Sequence, residues 1–597
     1  MHDDDEGPPP AFDSSRRLTG PNRWFAQPAV ALTPLGAAAQ DPAALAGWAQ
    51  RVQALCAALG WPAPQAHVAT GAAGTVLAFV PPEPALLTAT DLNEWAWERA
   101  AEAHTPLAAQ GFAVTQPASE DIATMARHFS AKASTEASRP LQRLQAAASA
   151  HGLPLFDDDD SVSIGIGSGS RTWPRAALPL PMDLPWPQLH AQPVLLVTGS
   201  NGKTTTTRLL VAMAEAAGRV AGHCSTEGVV VGGALVHAGD YAGPAGARAV
   251  LRHPAVQFAV LETARGGLLR RGLVARQADA ALVTNVSADH LGEYGIASVE
   301  DIAEAKLVVA HALREHGTLV LNGGDAVLMA VARRTPHVQA LFDAGRVALF
   351  AHDLAHPALQ AHRTTGAPVC GVDADGELVW AQGDVATSLG EITQMPLTLQ
   401  GAARHNVENI AAAVLAALAT DLPLPALRAT LAQFGALPQD NPGRLERWAW
   451  RGATVLVDYA HNPDGLAQLL QVAQALMSKD QPVRLGLLLG QAGNRDNTAI
   501  TELAWTAARF APARVVVKEL PLMLRGRPLG EVPALLQAGL LQAGLPAAAV
   551  QHEADEATAA RALLAWAQPG DVVVLPVHTT AVRQALAATL LAAGGGA

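Results

Sequence analysis

Hydrophobic and polar residues follow two different patterns along the chain, and the change falls near residue 190. In the first part, apolar residues recur at the spacing of an amphipathic helix. These helical stretches are 43–59, 91–109 and 120–150. A short apolar run at 74–80 predicts one strand among them. We therefore expect a small α+β domain at residues 1–155.

From residue 193 onward, short apolar strands alternate with helical segments. The first strands are 194–198, 258–262 and 280–286, and the helices beside them are 204–217 and 299–313. After a break at 437–444, the alternation resumes with strands at 454–458, 484–489, 514–517 and 571–575 and a helix at 465–476. Such alternation is typical of a mostly parallel, doubly wound sheet. We expect two α/β domains, at 191–437 and 438–597.

The segment 156–190 interrupts both patterns. It begins with an acidic run, continues through SVSIGIGSGS and ends in a Pro-rich stretch. The Ile/Val alternation in its middle favours one strand. Proline-rich sequence is typical of extended connections, so we expect a linker here.

The composition excludes several classes of protein. Of the 597 residues, 50% are hydrophobic and 16% are charged, whereas disordered chains are poor in apolar residues and rich in charge. The net charge is −12 without any stripe of Lys and Arg, which excludes a general nucleic-acid binder. Cys56, Cys224 and Cys370 form no disulfide or metal pattern. Without a signal peptide or an apolar run of about 20 residues, a cytoplasmic protein with no membrane contact is expected.

The clearest chemical signal lies between the strand 194–198 and the helix that follows. The loop and the first helical residues are Gly199, Ser200, Asn201, Gly202, Lys203, Thr204 and Thr205. Glycines let backbone N–H groups point at phosphate oxygens, and the helix N-terminus adds a favourable dipole. A lysine placed like Lys203 reaches the outer phosphates, and the hydroxyl of Thr204 is suited to Mg²⁺. The segment therefore predicts a nucleotide site.

This loop is two residues shorter than the common GxxxxGK[ST] phosphate loop, and it resembles the TGxNGKT[ST] loop of the Mur ligase superfamily. That superfamily includes peptidoglycan amino-acid-adding ligases, folylpolyglutamate synthases and the C-terminal half of cyanophycin synthetases. The resemblance implies a central doubly wound P-loop ATPase domain and a C-terminal Rossmann-like ligase domain. It also implies ATP and Mg²⁺, with two ions expected.

Three further positions match metal-binding residues of the same superfamily. Glu262 ends an apolar strand, where sheets of this class place ligands, and a carboxylate suits Mg²⁺. His290 resembles the histidine of the family's DH motif, which implies a second Mg²⁺. Lys306 matches the lysine that is carbamylated in many of these ligases, a modification that makes it an anionic ligand. The resemblance thus implies metal binding by Thr204, Glu262, His290 and Lys306, and catalytic roles for Lys203, Glu262, His290 and Lys306.

The resemblance continues toward the C-terminus and implies further nucleotide contacts. Asn409 resembles the second Asn of an HNxxN motif, which contacts adenine, although an Asn that caps a helix is a compatible interpretation. Arg444 and the DYAHNP segment, with Asp458 and His461, match positions that meet the nucleotide after domain closure. Arg495 lies in GQAGNRD, where the family has GxxGDR. Asn494 replaces the Asp of that motif, which puts one charged contact in question.

Two segments resemble cyanophycin synthetases in particular, ETARGG at 262–267 and LRGRPLGE at 524–531. Residues 152–167 resemble the stretch that leads into the ATP-grasp ligase of those enzymes, yet the Mur-like strand already begins at 194. The arrangement looks like a cyanophycin synthetase without its ATP-grasp unit. At most one of that family's two reactions is therefore expected.

The motifs predict an ATP-dependent carboxylate–amine ligase that forms an amide or isopeptide bond through an acyl phosphate. By analogy, it attaches an amino acid such as Arg, bound in the C-terminal domain, to an Asp-type side-chain carboxylate of a peptide or polymer. The alternative is a catalytically impaired nucleotide-binding accessory protein of a partner cyanophycin-type synthetase. ETARGG and LRGR–GE argue against a peptidoglycan or folate ligase. Homo-oligomerisation is suggested by analogy alone.

Overall fold

The computed structural model describes residues 8–71, 74–289, 291–477 and 483–593. The chain divides into two compact units. The first comprises 1–349, 364–368 and 415–422, and the second comprises 350–363, 369–414 and 423–597. Over the described ranges, none of the helices combines the length and the apolar character that crossing a membrane requires.

Residues 8–71 and 74–150 form a small α+β domain, as the sequence predicts. Its elements are β1 (Phe12–Leu18), β2 (Ala29–Pro34), α1 (Pro42–Ala58), β3 (Ala66–Gly71), β4 (Gly74–Phe79), α2 (Leu86–His104), α3 (Ile122–Glu136) and α4 (Arg139–Ala150). The strands form an antiparallel sheet in the order β1-β2-β4-β3. Trp48 and Trp97 are fully buried in the core, and their indole N–H groups donate to Asn93 Oδ1 and Ala11 O, both at 2.8 Å. The core thus buries large aromatic rings without leaving these donors unpaired.

The expectation of one helix over 120–150 is wrong in one respect, because the segment forms two helices. α3 ends at Glu136 and α4 begins at Arg139. Pro140 lies in the first turn of α4, where its missing N–H costs nothing, whereas inside a continuous helix it would remove a hydrogen bond. Ser138 Oγ accepts from Leu141 N and caps the new helix. The proline therefore sets the break.

The stretch 156–190, expected to be a linker, carries a small antiparallel sheet. Its strands are β5 (Leu155–Asp157), β6 (Ser161–Ile164) and β7 (Arg171–Pro174), with β6 in the middle. Arg252, from a later helix, anchors this sheet. Its Nε donates to Ser163 Oγ and its Nη2 to Phe156 O, both at 2.9 Å, and its Nη1 pairs with Asp158. β6 is the strand that the Ile/Val alternation favours.

The remainder of the first unit is the predicted α/β domain. Its elements are β8 (Val194–Thr198), α5 (Lys203–Ala216), β9 (Ala221–Ser225), β10 (Gly228–Val231), β11 (Ala234–Ala238), α6 (Pro244–Arg252), β12 (Phe258–Glu262), α7 (Arg265–Arg271), β13 (Ala278–Val283), α8 (Val299–Leu307), β14 (Leu313–Asn322), α9 (Ala326–Arg334) and α10 (Pro336–Asp343). The strand order is β11-β10-β9-β12-β8-β13-β14. From β9 to β14 neighbouring strands are parallel, and β10 and β11 extend one edge antiparallel.

The second unit contains most of a region in which the only element expected from the sequence is a helix at the Asn409 motif. These are β15 (Val347–Asp353), α11 (Pro357–Arg363), β16 (Pro368–Val372), β17 (Glu377–Gln382), β18 (Val385–Glu391), α12 (Arg404–Leu418) and α13 (Leu424–Leu431). The four strands are neighbours in sequential order. β18 is mostly exposed and β17 is only partly buried, which weakens the apolar signal of these two strands.

The C-terminal part of the second unit is a Rossmann-like domain. Its elements are β19 (Glu446–Trp450), β20 (Ala453–Asp458), α14 (Pro463–Leu476), β21 (Leu485–Leu489), α15 (Asn497–Ala508), β22 (Arg514–Lys518), α16 (Glu531–Gln542), β23 (Val550–Glu553), α17 (Glu556–Trp566), β24 (Val572–Pro576) and α18 (Thr580–Ala592). The order is β19-β20-β24-β21-β22-β23, and all strands except β19 are parallel. The predicted fold class is confirmed.

Replacing Arg252 by Ala is expected to loosen the small sheet, because three side-chain nitrogens that hold it are lost at once. Amide hydrogen exchange over 155–174 should become faster than in the wild type. Arg175→Ala is the matched control: Arg175 donates to Asp158 O at 3.0 Å and pairs with Asp157, but the two charged side chains are 34% and 48% exposed, and such pairs contribute about 0–1 kcal/mol. Equal exchange in the Arg252→Ala variant and the wild type would show that the anchor is unimportant.

Candidate active site

Three neighbouring strands of the first unit place the predicted residues at one edge of the sheet. β8 lies between β12 and β13, and all three run in the same direction. The register pairs Glu262 with Val197 and Val283 with Thr198, so the chain leaves the three strands at nearly the same level. The phosphate loop, Glu262 and the segment that begins at Thr284 therefore meet at the carboxyl edge, where sheets of this class bind ligands.

The conformation of the loop 199–202 depends on its glycines. Gly199 has φ = +151°, and a Cβ atom there would lie 1.7 Å from Thr284 Oγ1. Gly202 has φ = +83° and directly precedes α5. Asn201 N donates to Asn285 Oδ1 at 2.9 Å, and Thr284 Oγ1 donates to Asn201 O at 2.6 Å. Close packing against the segment after β13 thus fixes the loop.

The ammonium group of Lys203 lies over this loop. Lys203 is the first residue of α5, and its Nζ donates to Gly199 O and Ser200 O, both at 3.0 Å. Ser200 and Thr205 are both buried. Ser200 Oγ accepts from Ser287 N at 3.0 Å, which ties the loop to the segment that leads into Asp289. The structure therefore brings the predicted phosphate-binding residues together.

A hydroxyl and a carboxylate face each other at the start of α5. Thr204 Oγ1 donates to Glu262 Oε2 at 2.9 Å, and Glu262 is fully buried at the end of β12. Burial of an ionised carboxylate is costly unless donors or cations compensate its charge. Hydroxyl and carboxylate oxygens are the hard donors that Mg²⁺ prefers, so this pair fits the predicted ion.

Lys306, on α8, is close to the phosphate loop. Its side chain is buried, with 4% of the residue exposed. Burial and the positive charge of Lys203 lower the pKa of the Lys306 amine well below its usual value; Asp289 opposes this shift and Arg265 adds to it. A neutral amine is the form that reacts with CO₂, so this environment suits the predicted carbamylation.

His290, the predicted ligand of a second ion, lies outside the described residues. Among the side chains that the structure does describe, no cluster of three or more His, Cys, Asp and Glu is arranged to hold a metal. The Thr204–Glu262 pair contains only one carboxylate, so it does not count as such a cluster. The number of ions stays a prediction.

In the second unit, α12 carries the segment predicted to contact adenine. Asn409 is buried, and its Nδ2 donates to Asn406 Oδ1 at 3.1 Å. Asn406 Nδ2 in turn donates to Leu397 O at 3.0 Å. Since α12 begins at Arg404, Asn409 lies inside the helix, and the interpretation of Asn409 as a helix cap is wrong.

The DYAHNP segment follows β20, and its acidic residue fixes the backbone around it. Asp458 Oδ2 accepts from Leu445 N, and Oδ1 accepts from Ala460 N, both at 2.7 Å. The carboxylate thereby joins the turn after β20 to the segment that begins with Arg444. Asp458 and Arg444, predicted from separate motifs, are therefore neighbours.

An aromatic ring organises the cations beside this turn. The guanidinium carbons of Arg444 and Arg583 lie 4.5 and 5.3 Å from the centroid of the Tyr459 ring. The ring of His461 lies 5.4 Å from Tyr459. Stacking of a cation on an aromatic face restricts its position without neutralising its charge. Arg583 was not predicted, because it lies far from any recognised motif.

Hydrogen bonds from Arg527 join the segments 490–495 and 524–531. Arg527 Nε donates to Gly493 O at 2.9 Å, Nη2 donates to Arg495 O at 2.6 Å, and Nη1 pairs with Glu531. Arg527 of the LRGR segment therefore holds the loop that carries the buried Arg495. Asn494, which replaces the family's Asp, is exposed.

A buried ion pair near the DYAHNP segment was also not predicted from the sequence. Lys518 is fully buried, and its Nζ donates to Glu556 Oε1 at 2.5 Å. The Glu556 carboxylate also accepts from His578 N and Thr579 N, at 2.7 and 2.8 Å. His578 Nε2 lies 3.1 Å from Ala460 O, which links this turn to the DYAHNP segment. A lysine that closes an otherwise apolar strand was the available sequence signal.

Two family profiles match the regions that carry these residues. The Mur ligase middle domain matches residues 197–417, and the Mur ligase, glutamate ligase domain matches residues 443–576. Together the two matches cover more than half of the chain. They include the phosphate loop in the first unit and the DYAHNP segment in the second.

Individual relatives show the same similarity. The cyanophycin synthetase of Trichormus variabilis is 36% identical over 406 residues, which are 68% of this chain and 43% of that protein. The cyanophycin synthetase of a Synechocystis species is 36% identical over 64% of this chain and 42% of its own. A UDP-N-acetylmuramoyl-L-alanyl-D-glutamate–2,6-diaminopimelate ligase of Synechococcus elongatus is 29% identical over 64% of this chain and 70% of its own. The similarity thus spans less than half the length of these cyanophycin synthetases.

Among solved structures, a bifunctional folylpolyglutamate synthase/dihydrofolate synthase from Yersinia pestis aligns with 66% of this chain and 88% of its own, at 19% identity and a TM-score of 0.46. The family assignment rests on the two profile matches and on the motifs that fall within them. The chain belongs to the Mur ligase superfamily.

Proposed function

We propose that the protein is an ATP-dependent ligase that joins a carboxylate to the amino group of an amino acid. The observation that carries this proposal is the contact between Thr204 and the fully buried Glu262 beside the phosphate loop. A glycine-rich turn that only connects a strand to a helix has no need for a buried carboxylate at the first helical turn. A site for a nucleotide with its metal ion does have that need.

The proposed reaction has two chemical steps. A carboxylate oxygen of the first substrate attacks the γ-phosphorus of ATP, the bond to the bridging oxygen breaks, and ADP leaves an acyl phosphate. The amino group of the second substrate then attacks the acyl carbon. The tetrahedral intermediate expels phosphate, and the nitrogen loses a proton to give the amide. Water must be excluded during both steps, because it would hydrolyse the acyl phosphate.

The described residues support a division of roles. Lys203 would neutralise charge on the transferred phosphoryl group. Thr204 and Glu262 would hold Mg²⁺, and the metal would supply Lewis-acid stabilisation of phosphate charge. For a second ion, the family resemblance alone proposes a carbamylated Lys306 and His290, which lies outside the described residues. The proposed nucleotide contacts of the second unit are Asn409, Arg444, Asp458, His461 and Arg495.

The relatives suggest which substrates to try first. The segments ETARGG and LRGRPLGE resemble those of cyanophycin synthetases, and we extend the proposal to addition of an amino acid such as Arg to an Asp-type side-chain carboxylate. Since the match covers 43% of that relative, the peptide or polymer that bears the carboxylate is proposed to be made at a different active site.

Removal of the Lys203 charge is expected to lower the rate of ADP release by about 10²–10³-fold, the usual cost of losing one stabilising donor in a transition state. ADP release should be measured with a panel of amino acids, each paired with a β-Asp-type peptide or with poly-Asp. The variant is Lys203→Ala. Lys132→Ala is the control, because this exposed lysine lies in the N-terminal domain, paired with Asp91.

Two outcomes would contradict the proposed function. In the first, no pair of substrates raises ADP release by the wild type above the rate with ATP alone. In the second, Lys203→Ala and Lys132→Ala release ADP equally fast. Binding of ATP without any turnover, together with co-purification of a synthetase, would instead support an accessory role.

Carbamylation of Lys306 is expected, because burial lowers the pKa of its amine well below the value of about 10.4 of an exposed lysine and so raises the uncharged fraction that reacts with CO₂. Protein equilibrated with ¹³C-bicarbonate should show a carbamate carbon resonance. The resonance should be absent from Lys306→Arg, and ADP release by that variant should fall to background. A resonance that persists in Lys306→Arg would assign the carbamate to another residue.

A further inference from the structure

A short arm of the N-terminal domain contacts segments that flank the candidate active site. The arm consists of residues 16–25, which are the last three residues of β1 and the segment that turns back toward β2. Asn22 shapes the turn: its Oδ1 accepts from Trp24 N and Phe25 N, both at 3.1 Å, and its Nδ2 donates to Gly20 O. Asn22 is 1% exposed although it lies in a connecting segment. The arm is therefore enclosed by other parts of the first unit.

One side of the arm is fitted against the end of α7, which follows Glu262. Thr19 N donates to Arg271 O, and Leu273 N donates to Pro21 O, both at 2.8 Å. A Cβ atom at Gly20 would lie 1.8 Å from Leu273 O, so only glycine permits this approach. The contact resembles the pairing of two strands and fixes the arm relative to α7.

The other side of the arm contacts the segment that follows Asp289. Arg23 Nη1 donates to Gly295 O at 3.2 Å, and Nη2 pairs with Asp301 and with Glu304 Oε2, the latter at 2.8 Å. Asp301 is itself part of the capping box that begins α8. One guanidinium group thus joins the 291–296 loop to the first turns of α8, the helix that carries Lys306.

The 291–296 loop has a conformation that needs such support. Gly292, Tyr294 and Gly295 have φ values of +90°, +52° and +77°. A tyrosine in the left-handed region is uncommon, and such residues persist where their surroundings hold them. The Arg16 guanidinium, from the same arm, lies 5.4 Å from the centroid of the Tyr294 ring. The arm therefore supports the loop through both Arg16 and Arg23.

We propose that the 16–25 arm positions the 291–296 loop and α8 for catalysis, with Arg23 as a positioning residue for the ligase reaction. The inference rests on the proposed function, since it assigns the N-terminal domain a part in the phosphoryl-transfer site. Arg23 touches no reacting group. It acts through the loop next to Asp289 and through the helix that places Lys306.

Simple attachment of the N-terminal domain does not account for the Arg23 contacts. Attachment is already supplied by the backbone pairing with α7 and by Arg276, whose Nη2 donates to Thr19 O at 2.9 Å and pairs with Glu83. Arg276 lies at the same interface, and its partners belong to the N-terminal domain rather than to the loop. This arginine provides a matched control.

The experiment compares full-length wild type, Arg23→Gln, Arg23→Lys and Arg276→Gln. Two quantities are measured, amide hydrogen exchange over 291–305 in the absence of ATP, and the Mg²⁺ dependence of ADP release at saturating ATP. Arg23→Gln should exchange faster over 291–305 only, and its activity or apparent Mg²⁺ affinity should fall by about 10- to 100-fold, as for other supporting residues of metal sites. Arg23→Lys should recover part of the exchange protection and part of the activity, and Arg276→Gln should match the wild type.

The inference is overturned if Arg23→Gln leaves exchange over 291–305 and the Mg²⁺ dependence unchanged, or if Arg276→Gln produces the same changes. Should Arg23→Gln fail to fold, Glu304→Ala removes one acceptor of Arg23 from the opposite side, together with an exposed contact to Arg334, and the same two measurements apply. If the wild type has no ligase activity, the proposed function fails. The exchange comparison still decides whether the arm holds the loop.

Discussion

Burial of the Glu262 carboxylate is the constraint on which much of the first unit depends. A charge at the end of a fully buried strand requires donors and cations at fixed positions, because water does not solvate it. Thr204 supplies a donor from the first turn of α5. That placement requires β12 next to β8, and it requires a loop that turns sharply enough to start the helix at Lys203. The glycines at 199 and 202 meet this steric demand.

The second unit uses buried charge for a related purpose. The Glu556 carboxylate pairs with Lys518, and it also accepts hydrogen bonds from two backbone amides of the turn after β24. Asp458 holds two backbone amides in the same manner, and Arg527 holds two backbone carbonyls. In each case a charged side chain fixes the backbone of a loop at a strand end. Arg444, which lies beside the turn that Asp458 holds, is therefore presented from a rigid segment.

The parts of this structure that the sequence predicts are those with a local signal. The strands 194–198 and 258–262 are found at the predicted bounds, because short apolar runs there end at a glycine or an acidic residue. Contacts between distant segments leave no such signal. Arg23 meets Glu304, and Arg527 meets the loop at Gly493, through spacings that no periodicity encodes. The small sheet at 155–174 was not predicted, because its strands are short and its anchor, Arg252, lies in another element.

The arm at 16–25 also bears on how the chain acquires its structure. Arg23 and Glu304 are separated by 281 positions, so the arm is synthesised long before the loop and the helix that enclose it. At a translation rate of about 5–20 residues per second, the interval on the ribosome is roughly 15–55 s. During that time the surface around Asn22, buried in the finished protein, has nothing to pack against. The N-terminal domain can form its own core early, whereas its arm completes its packing only when the central sheet has emerged, which places this junction late in the folding of the chain.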